Sequence, residues 1–384
     1  MPTSQYRCQS CDRDSLREIA GFRRLPRVTS DSKPFRAGGR LFVCEFCGTA
    51  QKIADPAWLA EIDEIYRDYE MYHQSASNDQ AVFDPISGRP TGRCEVLVQR
   101  LQESGAIPRT GTLLDVGAGG GAMLSAFSAA CAEWKLFGLD LDVRKERALK
   151  AIPRFEGLFT VPPEELSQRF DLVTLIHTLE HFPHPVSMLR KLRRKIAAGG
   201  RLFIQVVNLD QMPFDLVIAD HLCHYTPQTV AFQVESAGLS IETAKTNWIH
   251  KEISLLAVES PPTSTATHND PLQAVGRVEG DVTWLQNLLA HARESARSGQ
   301  FGIFGTSVAA TWLAGALGDT VQFFVDEDPA REGRMHLSRP ILKPDQLPRG
   351  VTVYLAFARN ASDAIRRRLS HLPVTFLAAP IANA

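Results

Sequence analysis

The stretch "LLDVGAGGGA", residues 113–122, constrains this chain more than any other. A short apolar run ends in Asp115. Gly117, Gly119, Gly120 and Gly121 follow, and then a helix-forming segment, "AMLSAFSAACAEW". Glycines this dense between a strand and a helix bring bare backbone close to a ligand. The surrounding pattern repeats the alternation. A helical "RCEVLVQRLQESG" precedes the strand "TLLDV", and the strand "KLFGLD", the helix "RKERALKAI" and the strand "FDLVTLIH" come after the turn. Next are the helix "HPVSMLRKLRRKIA", the strand "GRLFIQVVN", the helix "TPQTVAFQVESAG" and two strands, "LSIETAKTN" and "SLLAVES". Strands and helices alternating through short loops give a parallel sheet covered on both faces, an α/β, Rossmann-like fold.

A chain of 384 residues has room for two or three such units. With 44% hydrophobic and 22% charged residues, the composition is that of a soluble globular protein. The formal charge of -1 leaves no footprint for a long nucleic acid. No apolar run is long enough for a membrane span, and "MPTSQYRCQS" lacks the layout of a secretory signal, so the expected compartment is the cytoplasm. Four of the seven cysteines form two CxxC pairs, Cys8/Cys11 and Cys44/Cys47. In a reducing compartment such pairs point to metal rather than disulfides, and four thiolates suit a closed structural zinc site. Buried free thiols or an iron–sulfur cluster are the alternatives.

The expected organisation is a zinc-binding module with a helical segment over 1–75, an α/β domain over 76–258, a Pro/Ser/Thr-rich linker over 259–280, and a smaller Rossmann-like α/β domain over 281–384. In the last unit, "DVTWLQNLLAHARESARSG" reads as a helix with Trp284, Leu285, Leu288 and Leu289 on one face. Its glycine turn, Gly302/Gly305, lacks a third glycine and is weak as a dinucleotide site. The basic run "RKLRRK", residues 190–195, lies on a helix whose Leu189, Leu192 and Ile196 face inward, which makes it a solvated face.

The first turn satisfies both GxGxxA (Gly117, Gly119, Ala122) and DxGxGxG (Asp115, Gly117, Gly119, Gly121). Asp115 separates the two ligands that such turns hold. A carboxylate there opposes a pyrophosphate and favours a cationic amino group. Asp140, with Asp142 as the alternative, is placed to accept hydrogen bonds from ribose hydroxyls, which an NAD site would also require. Together, "LLDVGAGGG", "GLDLD", "FDLVTLIHTLEHFPHP" and "GGRLFIQVVN" resemble the successive motifs of class I S-adenosylmethionine-dependent methyltransferases, over roughly 92–258. The resemblance implies cofactor binding by Asp115, Gly117, Gly119, Gly121, Asp140 and His177.

The whole order, from paired cysteines through this core to a C-terminal α/β unit, is similar to that of the sugar C-methyltransferase family. "YRDYEMYHQSAS", "DHLCHYT" and "FGIFGTSVAATWL" with "FFVDEDPAREGRMHLSRPIL" resemble that family's tyrosine-rich segment, catalytic stretch and C-terminal domain. The resemblance implies a sugar or sugar-nucleotide acceptor and substrate contacts at Tyr69 and Tyr72. It also implies a histidine base: His221 with Asp220 beside it, then His224 and His181. A histidine near its ordinary pKa of ~6.5 can take a proton at neutral pH. The family's Tyr-His-Glu-His is Ile218-Ala219-Asp220-His221 here, so O-methylation stands beside C-methylation. An RNA methyltransferase and a non-catalytic zinc-dependent binding protein are the other readings. No nucleic acid or membrane partner is expected.

Overall fold

Leu113 and Leu114 set the architecture between them, because adjacent strand residues face opposite sides of a sheet and both of these are buried. The same alternation runs through Leu172 and Val173, and through Leu202, Phe203 and Ile204. One set of side chains packs in a core with Leu97, Leu101 and Phe127. The other packs with Leu189, Leu192, Val230 and Val234. Burial on both faces is what a parallel sheet sandwiched by helices requires. The computed structural model describes residues 6–69, 79, 81–83, 90–259, 271–297, 299–357 and 359–379.

The central sheet has seven strands: β1 (Gly111–Val116), β2 (Trp134–Leu139), β3 (Phe155–Phe159), β4 (Phe170–Ile176), β5 (Ile196–Val207), β6 (Ser240–Lys245) and β7 (Glu252–Val258). Their order is β3-β2-β1-β4-β5-β7-β6, and β7 is antiparallel to both neighbours. The chain order reverses at β1 and β4, which opens a crevice at their C-terminal ends. β3 is not evident in the sequence, since it is a half-buried edge strand interrupted by Gly157 with a shift of register against β2. β5 begins at Ile196, earlier than "GRLFIQVVN" implies. There Ile196 pairs with Phe170, and a Cβ at Gly200 would lie 2.9 Å from the carbonyl oxygens of Phe170 and Asp171. The basic run of 190–195 is committed to the scaffold. Arg190 and Arg193 donate to carbonyls of 236–238, Lys191 pairs with Glu164, and Lys195 donates to Leu166.

The N-terminal module builds a small sheet of Leu16–Glu18, Phe42–Cys44 and Ala50–Gln51, and its fourth strand is Cys223–His224 from the central domain. The C-terminal unit has a six-stranded sheet in the order Met335–His336, Arg339–Leu342, Phe323–Val325, Phe301–Phe304, Thr352–Leu355, Thr375–Ala378. The linker expected over 259–280 is corrected in its second half. A helix spans Pro271–Ser295, because Ala274, Val275, Val278 and Val282 extend the apolar stripe of Leu285, Leu288 and Leu289 back toward its start. Residues 260–270 lie outside the described residues. The stripe enters one core with Phe22, Leu25 and Val28 of the N-terminal module, Phe214 and Leu216 of the central domain, and Trp312 and Phe324 of the C-terminal unit. Among the described residues no helix is long and apolar enough to cross a membrane.

Trp312 is fully buried in that shared core, donates its indole N–H to the Pro26 carbonyl (2.7 Å), and meets Phe214 edge to face. Trp312→Ala is expected to cost about 3–5 kcal/mol in chemical denaturation. A loss below about 1 kcal/mol would contradict a core shared by the three units.

Candidate functional site

The glycine turn lies at the C-terminal end of β1. Gly117, Gly119 and Gly121 have φ of 74°, 49° and 78°, in the left-handed region that glycine adopts without strain. A Cβ at Gly117 would meet the Thr178 side chain at 2.5 Å, and one at Gly121 would meet Leu149 and Ile152 at 2.6 Å. At Gly119 the nearest atom is 3.9 Å away. Gly117 and Gly121 are therefore glycines for packing, and Gly119 presents the open side of the turn. Asp140, just past β2, accepts from the Gly119 N–H (2.8 Å) and the Asp142 N–H (2.9 Å), which ties the two strand ends together. Asp142 is turned to its own loop, capping Arg144, so Asp140 is the acid that faces the turn.

Asp115 is 3% exposed, and its Oδ1 accepts from the Thr174 hydroxyl at 2.6 Å. Burial pushes its carboxyl up to about 7, Thr174 works against this, and Asp140 adds to it. Among the described residues the other oxygen of Asp115 has no hydrogen-bond partner, and a buried acid of this kind is stabilised in its charged form by a cation brought alongside. The amino group of S-adenosylmethionine is such a cation, and the residues present fit it.

After β4 the chain turns at His177, whose φ of 49° is unusual for a non-glycine residue. Its ring lies between two carboxylates, with Nδ1 3.2 Å from Glu180 and Nε2 3.1 Å from Glu252. Burial and Arg93 oppose protonation, but the two carboxylates prevail and raise His177 to about 9. Both ring nitrogens face carboxylates, so His177 anchors the turn beside the cofactor crevice. Glu252 also pairs with Arg93 (3.0 Å) and accepts from Gln205 (2.7 Å). The sequence signal for this network is the charge that opens the otherwise apolar "EISLLAV".

The segment 215–224 carries the other half of the site. Asp215 is fully buried and serves two histidines, accepting from His221 Nδ1 at 2.7 Å and from His224 Nδ1 at 2.6 Å. Asp220 turns the other way and accepts from the Ser30 N–H (2.9 Å) and hydroxyl. The acid that orients His221 is thus Asp215, which adjacency in sequence does not reveal. Burial opposes protonation of His221, but Asp215 raises it above the ordinary histidine range, whereas burial and Lys52 hold His224 down at about 4. Among the described residues, His221 Nε2 has no hydrogen-bond partner. The His181 ring stands edge-on to His221 at 4.9 Å, and its Nδ1 lies 3.0 Å from the Asp220 carbonyl and 3.1 Å from the Tyr66 hydroxyl.

Tyr66 and Tyr69 come from the end of the helix Pro56–Arg67, with ring centroids 5.0 Å apart, and Tyr69 shares a hydrogen bond with Ser30. Tyr66 is partly open to solvent, and its hydroxyl meets His181 Nδ1. Tyr66 thus joins the histidine cluster through His181. Tyr72 lies outside the described residues.

Cys8, Cys11, Cys44 and Cys47 bring their sulfurs within 4.8 Å of one another, with Cys8–Cys47 at 3.7 Å and Cys11–Cys44 at 3.6 Å. A tetrahedral ion with metal–sulfur bonds of about 2.3 Å needs sulfurs about 3.8 Å apart. Each CxxC closes on itself, through Asp12 N–H to Cys8 and Gly48 N–H to Cys44, with Asp12 and Gly48 at positive φ. The four sulfurs fit a closed ion site and offer no open position for catalysis. In the C-terminal unit a Cβ at Gly302 would meet the Phe323 ring at 2.2 Å, and Asp326 is taken by Thr306 and Arg331.

The raised Asp115 fixes a sign. A ligand cation binds its ionised form, so below pH 7 binding must expel a proton. The affinity for S-adenosylhomocysteine is expected to weaken by up to about tenfold per pH unit below 7, and Asp115→Asn is expected to weaken and flatten it. Calorimetric titration from about pH 5.5 to 8 measures this, and an affinity independent of pH would contradict it.

Residues 89–244 match the family model described as "Methyltransferase domain". Curated relatives include the ubiquinone biosynthesis O-methyltransferase of Aeromonas salmonicida (strain A449), 28% identical over 151 residues, covering 34% of this chain and 63% of that protein. The protein of the same name from Bordetella avium (strain 197N) is 33% identical over 130 residues, covering 30% and 52%. The chain thus spans little more than half the length of the curated relatives it matches. Among solved structures, an S-adenosylmethionine-dependent methyltransferase from Clostridium acetobutylicum ATCC 824 aligns with a TM-score of 0.36 at 11% identity, over 52% of this chain and 97% of that one. A likeness so remote carries no argument; the strand order and the family match do. Residues 89–244 thus match a methyltransferase domain, and the strand order with its glycine turn supports the class I, S-adenosylmethionine-dependent kind.

Proposed function

We propose that the whole chain transfers a methyl group from S-adenosylmethionine to a sugar or sugar-nucleotide acceptor, with His221 as general base and Asp215 as its partner. The observation that carries this is the contrast between the two nitrogens of His221. Nδ1 is held by a buried carboxylate, and Nε2 has no partner among the described residues. That is the arrangement of an oriented base.

Bound S-adenosylmethionine supplies a methyl already activated on a sulfonium. The chain then has to hold it, exclude water and remove the acceptor's proton. Asp115 would meet the amino group and Asp140 the ribose hydroxyls. As the acceptor carbon or oxygen bonds to the methyl carbon, the methyl–sulfur bond breaks and its electron pair stays on sulfur. The acceptor's proton passes to His221 Nε2, and Asp215 balances the imidazolium. Tyr69, Tyr66 and His181 would line the acceptor's side.

The order of the modules supports a sugar acceptor, and the ketone-adjacent carbon is the first candidate atom. The relatives' name, O-methyltransferase, favours an oxygen. The missing Tyr and first His ahead of Asp220-His221 leave room for it. The four cysteines are proposed to hold structural zinc. The pairing of Ala50–Gln51 with Cys223–His224 makes that ion part of the frame around His221.

Incubation with S-adenosylmethionine and a panel of keto-deoxysugar and hydroxyl-bearing sugar nucleotides, with products read by mass spectrometry, is expected to give an adduct one methyl heavier. His221→Asn should lower kcat by about 10²–10⁴-fold while S-adenosylhomocysteine binding persists. Because Asp215 raises His221, the acid limb of kcat/KM should lie above ~6.5 and move to lower pH in Asp215→Asn. Wild-type rates in the His221 variant would defeat the assignment. Metal analysis should find one zinc per chain, and strong chelation should lower Tm and activity together. Full activity in metal-free protein would refute the role given to the ion.

A further inference from the structure

Asp215 poses a question of its own, since two imidazoles donate to it through the same nitrogen and at nearly the same distance. On that side His221 and His224 are equivalent, and either could become the imidazolium that the carboxylate stabilises. They differ at Nε2. His221 Nε2 has no partner among the described residues, and His224 Nε2 lies 3.1 Å from Lys52 Nζ. An ammonium has three donors and no acceptor. The other two protons of Lys52 go to the carbonyls of Ile218 (2.7 Å) and His221 (2.6 Å), so this buried cation is fully satisfied.

We infer that Lys52 is a positioning residue that confines proton uptake to His221, by occupying the one nitrogen through which His224 could compete for Asp215. With Nδ1–H donated to Asp215 and the Nε2 lone pair held by Lys52, His224 is fixed as a neutral imidazole. Asp215 is left to balance His221 alone. The surroundings agree. Lys52 faces Asp215, Asp220, Arg27 and Cys223, and burial brings it down to about 7. His224 faces Lys52, Asp215 and His221. His221 faces Asp215, Glu180, Asp220 and the edge of His181. Lys52 follows directly on the strand Ala50–Gln51, and its own N–H donates to the Leu222 carbonyl. The cysteine module thus reaches into the proton chemistry of the central domain through one side chain.

This inference rests on His221 as the base, and its test does not depend on turnover. In the intact, metal-loaded protein labelled with nitrogen-15 in histidine, His224 should give the Nδ1–H neutral tautomer with no titration between about pH 5.5 and 7, the range in which Lys52 keeps its charge, while His221 titrates with pH. In Lys52→Met, His224 should acquire a titration in the same range. A purely structural lysine would not move the protonation state of His224. A wild-type His224 that titrates or carries its proton on Nε2 would overturn the inference, as would a folded Lys52→Met that leaves His224 neutral throughout. If that variant does not fold, the wild-type spectrum decides. Loss of the methyltransferase reading would show instead as absent turnover with these spectra unchanged.

Discussion

A carboxylate buried away from water is costly unless both of its oxygens find donors. Asp215 meets that condition with two imidazoles, and much of the molecule is arranged to deliver them. The histidines lie on a segment with little regular structure of its own, a short turn at Pro213–Val217 and a two-residue strand at Cys223–His224. That segment is fixed from outside. Val28 accepts from the Ala219 N–H, Trp58 donates to the Ala219 carbonyl, Ser30 holds Asp220, and Lys52 binds carbonyls on either side of Asp220. All of these come from the N-terminal module. A module with little core of its own thereby determines the geometry of groups encoded some 170 residues away.

The cofactor half of the site obeys a different logic. It is built from the ends of adjacent parallel strands, where the sheet itself sets positions. Asp115, Asp140 and the glycine turn were legible in the sequence because each occupies a fixed place in a strand–turn–helix pattern, and because glycine at positive φ leaves a compositional mark. The helix pattern and the stripe of Leu285, Leu288 and Leu289 were legible for the same reason, since periodicity is local. The first turns of the helix from Pro271 are hidden by a Pro/Ser/Thr-rich neighbourhood that reads as linker until the partner core is known.

The acceptor half was legible only in part. His221, His224 and His181 could be picked out by residue type, and the structure brings all three together. Their partners could not. Asp215 lies among apolar residues in "PFDLV", and Lys52 is one of ten lysines; neither sits at a spacing that carries meaning. Asp220, the natural choice by adjacency, binds Ser30 instead. The resemblance implies cofactor binding at His177, and its ring is held between Glu180 and Glu252 beside the crevice by partners the motif does not reveal. The contacts from Ser30 and Lys52 are long-range, set by how the module docks onto the central sheet, and the Asp215 pairs, six and nine residues apart, form in an irregular segment whose shape no local pattern encodes.

If the proposed reaction holds, the glycine turn and His221 serve one and the same methyl transfer. A crystal structure with S-adenosylhomocysteine and a sugar-nucleotide acceptor tests it directly. The ligand's amino group is expected at Asp115, its ribose at Asp140, and His221 Nε2 within about 3 Å of the acceptor atom that faces the sulfur. An acceptor bound away from the histidine cluster, with His221 Nε2 still unpartnered, would contradict it.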